Sequence, residues 1–201
     1  ADGAITMDGG TQVDIQINKS MYSNSVSTII ISDNIKSGMA KLQDSGSENA
    51  LCWTHETNDH NNDSVVSEYG GGMKAASVNT GAVLCIRSRF FHKESNKEVY
   101  VHYKCDWKSM SEKNTYNPEM LPTNKDDYEY NHKFKFGTSL IITDIDTNFV
   151  PNIDKTLKLL ENYIGTTYYK YILDGKVIKL NDKIITPIIP PTEIENHPWE
   201  V

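Results

Sequence analysis

An α+β sandwich, with helices packed on a mixed sheet, is the fold class the sequence predicts, and three observations predict it. Apolar residues alternate with polar ones at a period of two along Val13, Ile15 and Ile17, and further short apolar runs recur along the chain. A long run, Leu157, Leu160, Ile164, Tyr168 and Ile172, repeats instead at the helical period. Between the strand groups, Gly70-Gly71-Gly72 opens a second helical segment. A chain of 201 residues can bury one sizeable core, so one domain with a C-terminal extension is expected.

The elements follow in order. Val13 to Ile17, a polar turn over 20–25 and the run Ser27-Thr28-Ile29-Ile30-Ile31-Ser32 predict two strands joined as a hairpin. Residues 36–67 are rich in Asn, Asp, Ser and Glu, interrupted by Ala50-Leu51-Cys52-Trp53, and predict a long loop. A loop of that length inside a compact domain is uncommon unless it is a lid or a binding segment. A helix is expected over 73–79, then strands over 82–89, 98–105 and 138–144, while the polar stretch 108–132 is expected to be loop. Pro151-Asn152 enters the long amphipathic helix and Asp174-Gly175 closes it. Segments 176–180 and 183–186 flank Asn181-Asp182 as a short hairpin, and Pro187, Pro190 and Pro191 end regular structure.

Composition narrows the function classes. A net charge of -7 and a pI near 5.3 give no general attraction to phosphate backbones or anionic lipid, so DNA or chromatin binding is disfavoured. Cys52, Cys85 and Cys105 show no paired spacing, which suggests neither a disulfide framework nor a zinc site and fits a reducing compartment. No apolar run is long enough to span a bilayer and no signal-peptide pattern opens the chain, so a cytoplasmic or nuclear location without membrane contact is expected. The start at Ala1-Asp2-Gly3, without a Met, suggests a trimmed N-terminus.

Two local features carry chemistry. A glycine turn running into a helix lets the backbone approach a phosphate, with the unpaired N–H groups of the first helical turn and the helix dipole behind them. Lys74 would add a mobile positive charge there. Neither of the common phosphate patterns, G-x-x-x-x-G-K-[ST] or G-x-G-x-x-G, is present. Asp33, at the end of the apolar run 29–31, can accept a hydrogen bond from an exocyclic amine such as that of adenine, or it can simply cap the following turn. His55, Asp59, His60 and Asp63 could be read as a metal cluster, but solvated loop residues are the expected reading, and no metal ligands are assigned. No Ser, His and Asp set shows a nucleophile motif, and Trp53, Trp107 and Trp199 are expected to pack.

The order of motifs carries a family resemblance. Ile31-Ser32-Asp33-Asn34 with Gly38-Met39, a long polar loop, Tyr69-Gly70-Gly71-Gly72-Met73-Lys74, and then Gly137-Thr138-Ser139-Leu140-Ile141-Ile142 resemble the nucleotide motifs of the GHKL superfamily, which joins gyrase, the ninety-kilodalton heat-shock chaperone, histidine kinases and MutL. Among its branches the chain is most similar to MORC-like and chaperone-like ATPases. The resemblance implies a two-layer sandwich of Bergerat type, with a nucleotide-binding domain over 1–150, an ATP lid over about 38–69, and a helix, hairpin and Pro-rich tail over 151–201 completing or extending it. It implies that Asp33 binds the adenine amine with Thr138 near the base, that the lid runs from Gly38 to Tyr69, that Gly70, Gly72 and Lys74 surround the phosphates of ATP carried with Mg2+, and that Met39, Gly71 and Met73 belong to the same cofactor site. Function would then be that of a nucleotide-gated switch or clamp, commonly a homodimer.

The chain departs from the family pattern twice. Asp33-Asn34-Ile35-Lys36-Ser37-Gly38 lacks the first glycine of D-x-G-x-G, so Ile35 is expected to crowd the adenine pocket. The family's general-base Glu and magnesium-binding Asn belong to an N-terminal helix not visible in this sequence, so no catalytic residue is assigned and hydrolysis depends on such a helix lying upstream. The alternative function is a non-catalytic interaction protein that retains the fold but not the site.

Overall fold

The computed structural model describes residues 10–39, 51, 72–92, 95–115, 117–148 and 152–191. Within them the chain forms β1 (Gln12–Lys19), β2 (Val26–Asp33), α1 (Gly72–Thr80), β3 (Gly81–His92), β4 (Lys97–Asp106), α2 (Trp107–Glu112), β5 (Glu119–Met120), α3 (Lys125–Asn131), β6 (Gly137–Ile145), α4 (Ile153–Thr167), α5 (Tyr169–Leu173), β7 (Val177–Leu180) and β8 (Lys183–Ile184). The strands make one mixed sheet in the order β5-β4-β3-β6-β2-β1-β7-β8. β1 and β7 run parallel, and the other neighbours are antiparallel. This is the α+β architecture expected from the sequence.

Period-two alternation sorts the sheet into two faces, because successive side chains leave a strand on opposite sides. Ile15 pairs with Ile31, Ile31 with Leu140, Leu140 with Ile86 and Ile86 with Tyr103, so one apolar row crosses five strands on one face. Leu84, Ile86, Val13 and Ile178 on that face are sealed from solvent, and Ile153 and Ile164 of α4 complete the same cluster. Burying a side chain of this size contributes about 1.5–3 kcal/mol each. α1 lies against β3 and β6, and α4 against β1. The opposite face carries Asp14, Ser32, Arg87, Arg89 and Ser139, and α3 packs against it at β3.

Two expectations are corrected. The stretch 108–132 is not all loop: β5 pairs with β4 there, α2 begins on Asp106, whose carboxylate accepts from Ser109 N at 3.0 Å, and α3 on Asn124, which accepts from Asp127 N at 2.9 Å. Each helix is too short to show an apolar repeat, so the capping side chain was the only available signal. The long amphipathic run is two helices rather than one, divided at Tyr168 (φ -107°, ψ 17°). The division follows Gly165-Thr166-Thr167, poor helix formers. It also follows a close approach by the tail: Ile188 N donates to Gly165 O at 2.9 Å, and a Cβ on Gly165 would meet Thr186 O at 2.8 Å. The N-cap at Asn152 is as expected, accepting from Lys155 N at 3.0 Å, an arrangement worth about 1 kcal/mol.

Candidate functional site

Asp33 and Thr138, 105 residues apart, meet at the seam between β2 and β6. Ser32 and Ser139 are the final registered pair of those strands. One residue further on, the Asp33 side chain takes over from the ladder, its Oδ1 accepting from Thr138 N at 3.2 Å and from Ile35 N at 3.0 Å. The turn-capping role and the seam role therefore fall to the same oxygen. Among the described residues Oδ2 has no hydrogen-bond partner. Asp33 sits on the apolar, helix-covered face, opposite Val13, and burial pushes its carboxyl above the usual range against the opposing pull of the two amides.

Gly137 makes this approach possible. Its φ is +128°, and a Cβ there would lie 1.9 Å from Asp33 O. No side chain fits in that space, so the glycine that opens the Gly-Thr motif is required by the contact itself.

Gly38 and Met39 approach Thr138 by way of Ser88. Gly38 has φ +50°, and a Cβ on it would meet Ser88 Oγ at 2.7 Å and Arg89 O at 2.8 Å. Met39 N donates to Ser88 Oγ at 2.8 Å, and Ser88 Oγ lies 2.9 Å from Thr138 Oγ1, where either hydroxyl can donate. Asp33, Gly38, Met39 and Thr138 are thus gathered around Ser88, a residue that sequence reasoning missed. Its signal was legible in principle: Leu84, Ile86 and Phe90 share the inward period of β3, and Ser88 interrupts it with a hydroxyl.

Ile35 is 4% exposed and belongs to the apolar core, so its side chain packs into the interior. Of the phosphate-side residues, Tyr69, Gly70 and Gly71 lie outside the described residues, as do residues 40–50 and 52–68 of the expected lid, including His55, Asp59, His60 and Asp63. Leu51 is described and is buried in the core. Gly72 begins α1, and among the described residues a Cβ on it would meet nothing within 4 Å. Met73 packs against the core. Lys74 corrects the expectation of a mobile charge: it is 0% exposed, enclosed where α1 meets the sheet, and Ser77 Oγ donates to its carbonyl at 2.9 Å. Trp107 packs on the core, as expected.

The second face of the seam is closed by polar groups. Ser32 Oγ and Ser139 Oγ are 2.7 Å apart, and Ser139 Oγ also bonds His132 Nδ1. His132 Nε2 lies 3.4 Å from Phe136 O, a carbonyl that can only accept, so the partners assign the proton to Nε2 and leave Nδ1 as acceptor. Burial lowers the imidazole pKa to about 4, with the Phe136 and Asp33 carbonyls opposing. Beside it, Tyr128 OH donates to Gly137 O at 3.2 Å. Arg89 anchors this face, bonding Glu98 at 2.8 Å and Glu129 at 3.3 Å, with the Phe136 ring 4.8 Å from its guanidinium.

Comparison with known proteins bears on the family and the fold. A profile of the histidine kinase-, DNA gyrase B- and HSP90-like ATPases matches residues 7–138, and the chain belongs to that family. In fold it is similar to the ATPase region of Saccharomyces cerevisiae topoisomerase II, in a structure bound to ICRF-187 (dexrazoxane), with a TM-score of 0.55 at 12% identity over 92% of this chain and 45% of that one. A second structure of the same yeast region gives the same values. The ATPase and transducer domains of topoisomerase II from Balamuthia mandrillaris align with a TM-score of 0.50 at 11% identity, over 92% of this chain and 46% of that one. The chain thus spans less than half the length of these neighbours, and at such identities the likeness is one of fold. No curated protein matches it in sequence. No helix among the described residues is long and apolar enough to cross a membrane.

Proposed function

We propose that this chain is an ATP-binding module of GHKL type that acts as a nucleotide-gated switch or clamp. The observation that carries the reading is the Asp33 carboxylate: one oxygen is pinned by two backbone amides beside Thr138, and the other has no partner among the described residues. An ionised carboxylate accepts from the exocyclic amine of adenine, and Thr138 stands next to it to meet the base. The space left at Gly72 by the described residues and the absence of acidic residues in the first turn of α1 favour an anion at that helix start. Mg2+ would arrive on the triphosphate, which it binds through oxygen. Residues 1–150 would form the nucleotide-binding part, with 151–201 completing it through α4 and β7. The site works inside the cell, and closure of a lid over about 38–69 would turn binding into a homodimer contact. Hydrolysis would need a carboxylate base within reach of the attacking water, supplied by a helix preceding this sequence.

Calorimetric titration of Mg-ATP and a non-hydrolysable analogue into the chain tests the reading, with Asp33→Asn as the control. Binding in the micromolar range is expected. The variant should lose at least tenfold in affinity while keeping its fold, because the amide oxygen of Asn still accepts from Ile35 N and Thr138 N. No heat at millimolar nucleotide would overturn the switch and leave the alternative, an interaction protein that retains only the fold.

A further inference from the structure

We infer that His132 is a positioning residue for the nucleotide site, acting through the sheet by way of Ser139 and Ser32 to hold Asp33 against Thr138. This rests on the nucleotide reading for its consequence on affinity, but its geometric part stands without it.

Ser32 and Ser139 are the neighbours in sequence of Asp33 and Thr138, and alternation sends the two pairs to opposite faces. Whatever fixes the spacing of the serines on the second face therefore fixes the spacing of the recognition pair on the first. The final ladder pair of β2 and β6 is a place where two strands would otherwise fray, since the ladder ends there. Instead the serine hydroxyls bond each other at 2.7 Å, and His132 bonds Ser139. Ser139 is 0% exposed, Ser32 4% and His132 7%, so water does not compete for these bonds. The proton positions form a single directional chain. Ser32 O–H donates to Ser139 Oγ, Ser139 O–H donates to His132 Nδ1, and His132 Nε2–H donates to Phe136 O. Ser139 Oγ bonds both Ser32 and His132, so removing the imidazole strands one of its bonds in the interior.

The turn that carries His132 is itself clamped to the seam. Tyr128, one helical turn earlier, lies against the His132 ring at a tilt of 38°, with centroids 4.6 Å apart, and donates to Gly137 O at 3.2 Å, while Lys133 bonds Asp14 of β1 at 3.3 Å. His132 is thus held from both sides and can transmit its position to Ser139. Besides Ser139 and Phe136 it meets the Asp33 backbone carbonyl, so it acts by placing the strand end.

The test uses the whole chain labelled with nitrogen-15, following the exchange of the Thr138 amide, the one that donates to Asp33, together with Mg-ATP affinity. His132→Leu fills the ring's space without an acceptor, and His132→Asn restores an acceptor near the Nδ1 position. Expected are Thr138 exchange and nucleotide dissociation each at least tenfold faster or weaker in His132→Leu, and both within about threefold of the parent in His132→Asn. If His132→Leu leaves both within twofold of the parent, or if the two variants behave alike, the positioning role is overturned. Should His132→Leu fail to fold, Ser32→Ala removes only the far end of the chain: a threefold or greater rise in Thr138 exchange supports the role, and no change overturns it. If the parent binds no nucleotide while Thr138 exchange still separates Leu from Asn, the switch reading falls and the geometric coupling stands.

Discussion

The two faces of the β2–β6 seam are built from adjacent residues and do opposite things. On the helix side, Asp33 and Thr138 leave a carboxylate oxygen without a partner among the described residues, a state that burial makes unfavourable for the ion. On the far side, Ser32, Ser139, His132 and Tyr128 each have a hydrogen-bond partner. This cluster stabilises the seam, while Arg87 and Arg89 on the same face keep buried guanidinium nitrogens without a partner among the described residues, and the open Asp33 oxygen lies beside Thr138 where a ligand can reach it. Real proteins tolerate an unmet polar group where function uses it, provided that neighbouring structure over-determines the geometry.

The largest break in that comparison is at Gly137, where the faces share a backbone. Gly137→Ala places a methyl 1.9 Å from Asp33 O at a φ of +128°, so the strands must part. A loss of about 4 kcal/mol or more is expected in urea denaturation, with both faces failing together. Recovery of parental stability would show that Gly137 tolerates a side chain and that the contact is not required.

Arg89 breaks the second face alone. It is 3% exposed, and its removal as Arg89→Met leaves Glu98 and Glu129, 38% and 49% exposed, free to take up water. The cost should be about 3 kcal/mol, below that of a fully buried pair broken on one side, from lost ion pairing and ring contacts. Thermal unfolding should fall while Asp33→Asn sensitivity of nucleotide binding persists.

Acid separates the faces by sign. His132 has a folded pKa of about 4 against an unfolded value near 6.5, so its contribution is fully present above the unfolded value and is lost as pH falls toward 4. Between pH 7 and 5 this amounts to on the order of 2 kcal/mol. Asp33 titrates the other way: its pKa is raised, so the chain gains stability relative to the charged form as pH falls through that value. In the Asp33→Asn background the acid loss should therefore be steeper than in the parent, and in His132→Asn it should shrink. Equal slopes in all three chains, measured by urea midpoints against pH, would contradict the assignment. Nucleotide affinity should weaken over the range in which Asp33 takes up its proton, since the neutral carboxyl is a poorer acceptor.

Legibility differed sharply between the parts of this molecule. Apart from β5, two exposed residues inside the stretch expected to be loop, the sheet strands and α4 were readable because their apolar residues repeat at the period of the element that buries them. α2 and α3 were not, being short helices held by a cap and by contacts with the second face. Of the expected site, Asp33, Gly38, Met39 and Thr138 come together around Ser88, and Gly72 opens α1. Lys74 is buried rather than exposed, a placement that no local signal in the sequence gives. Ser32, Ser88 and Ser139 were visible as hydroxyls in apolar strands, but not as partners of one another.

The sequence by itself determined the fold class, the strands, the family and the aspartate at the strand end, because these depend on residue type, local periodicity and motif order. Only the tertiary structure decided that Asp33 meets Thr138, that Gly137 must lack a side chain, and that His132 stands behind them. Those contacts join residues far apart in the chain, and the register that brings them together is set by burial of one whole face at once.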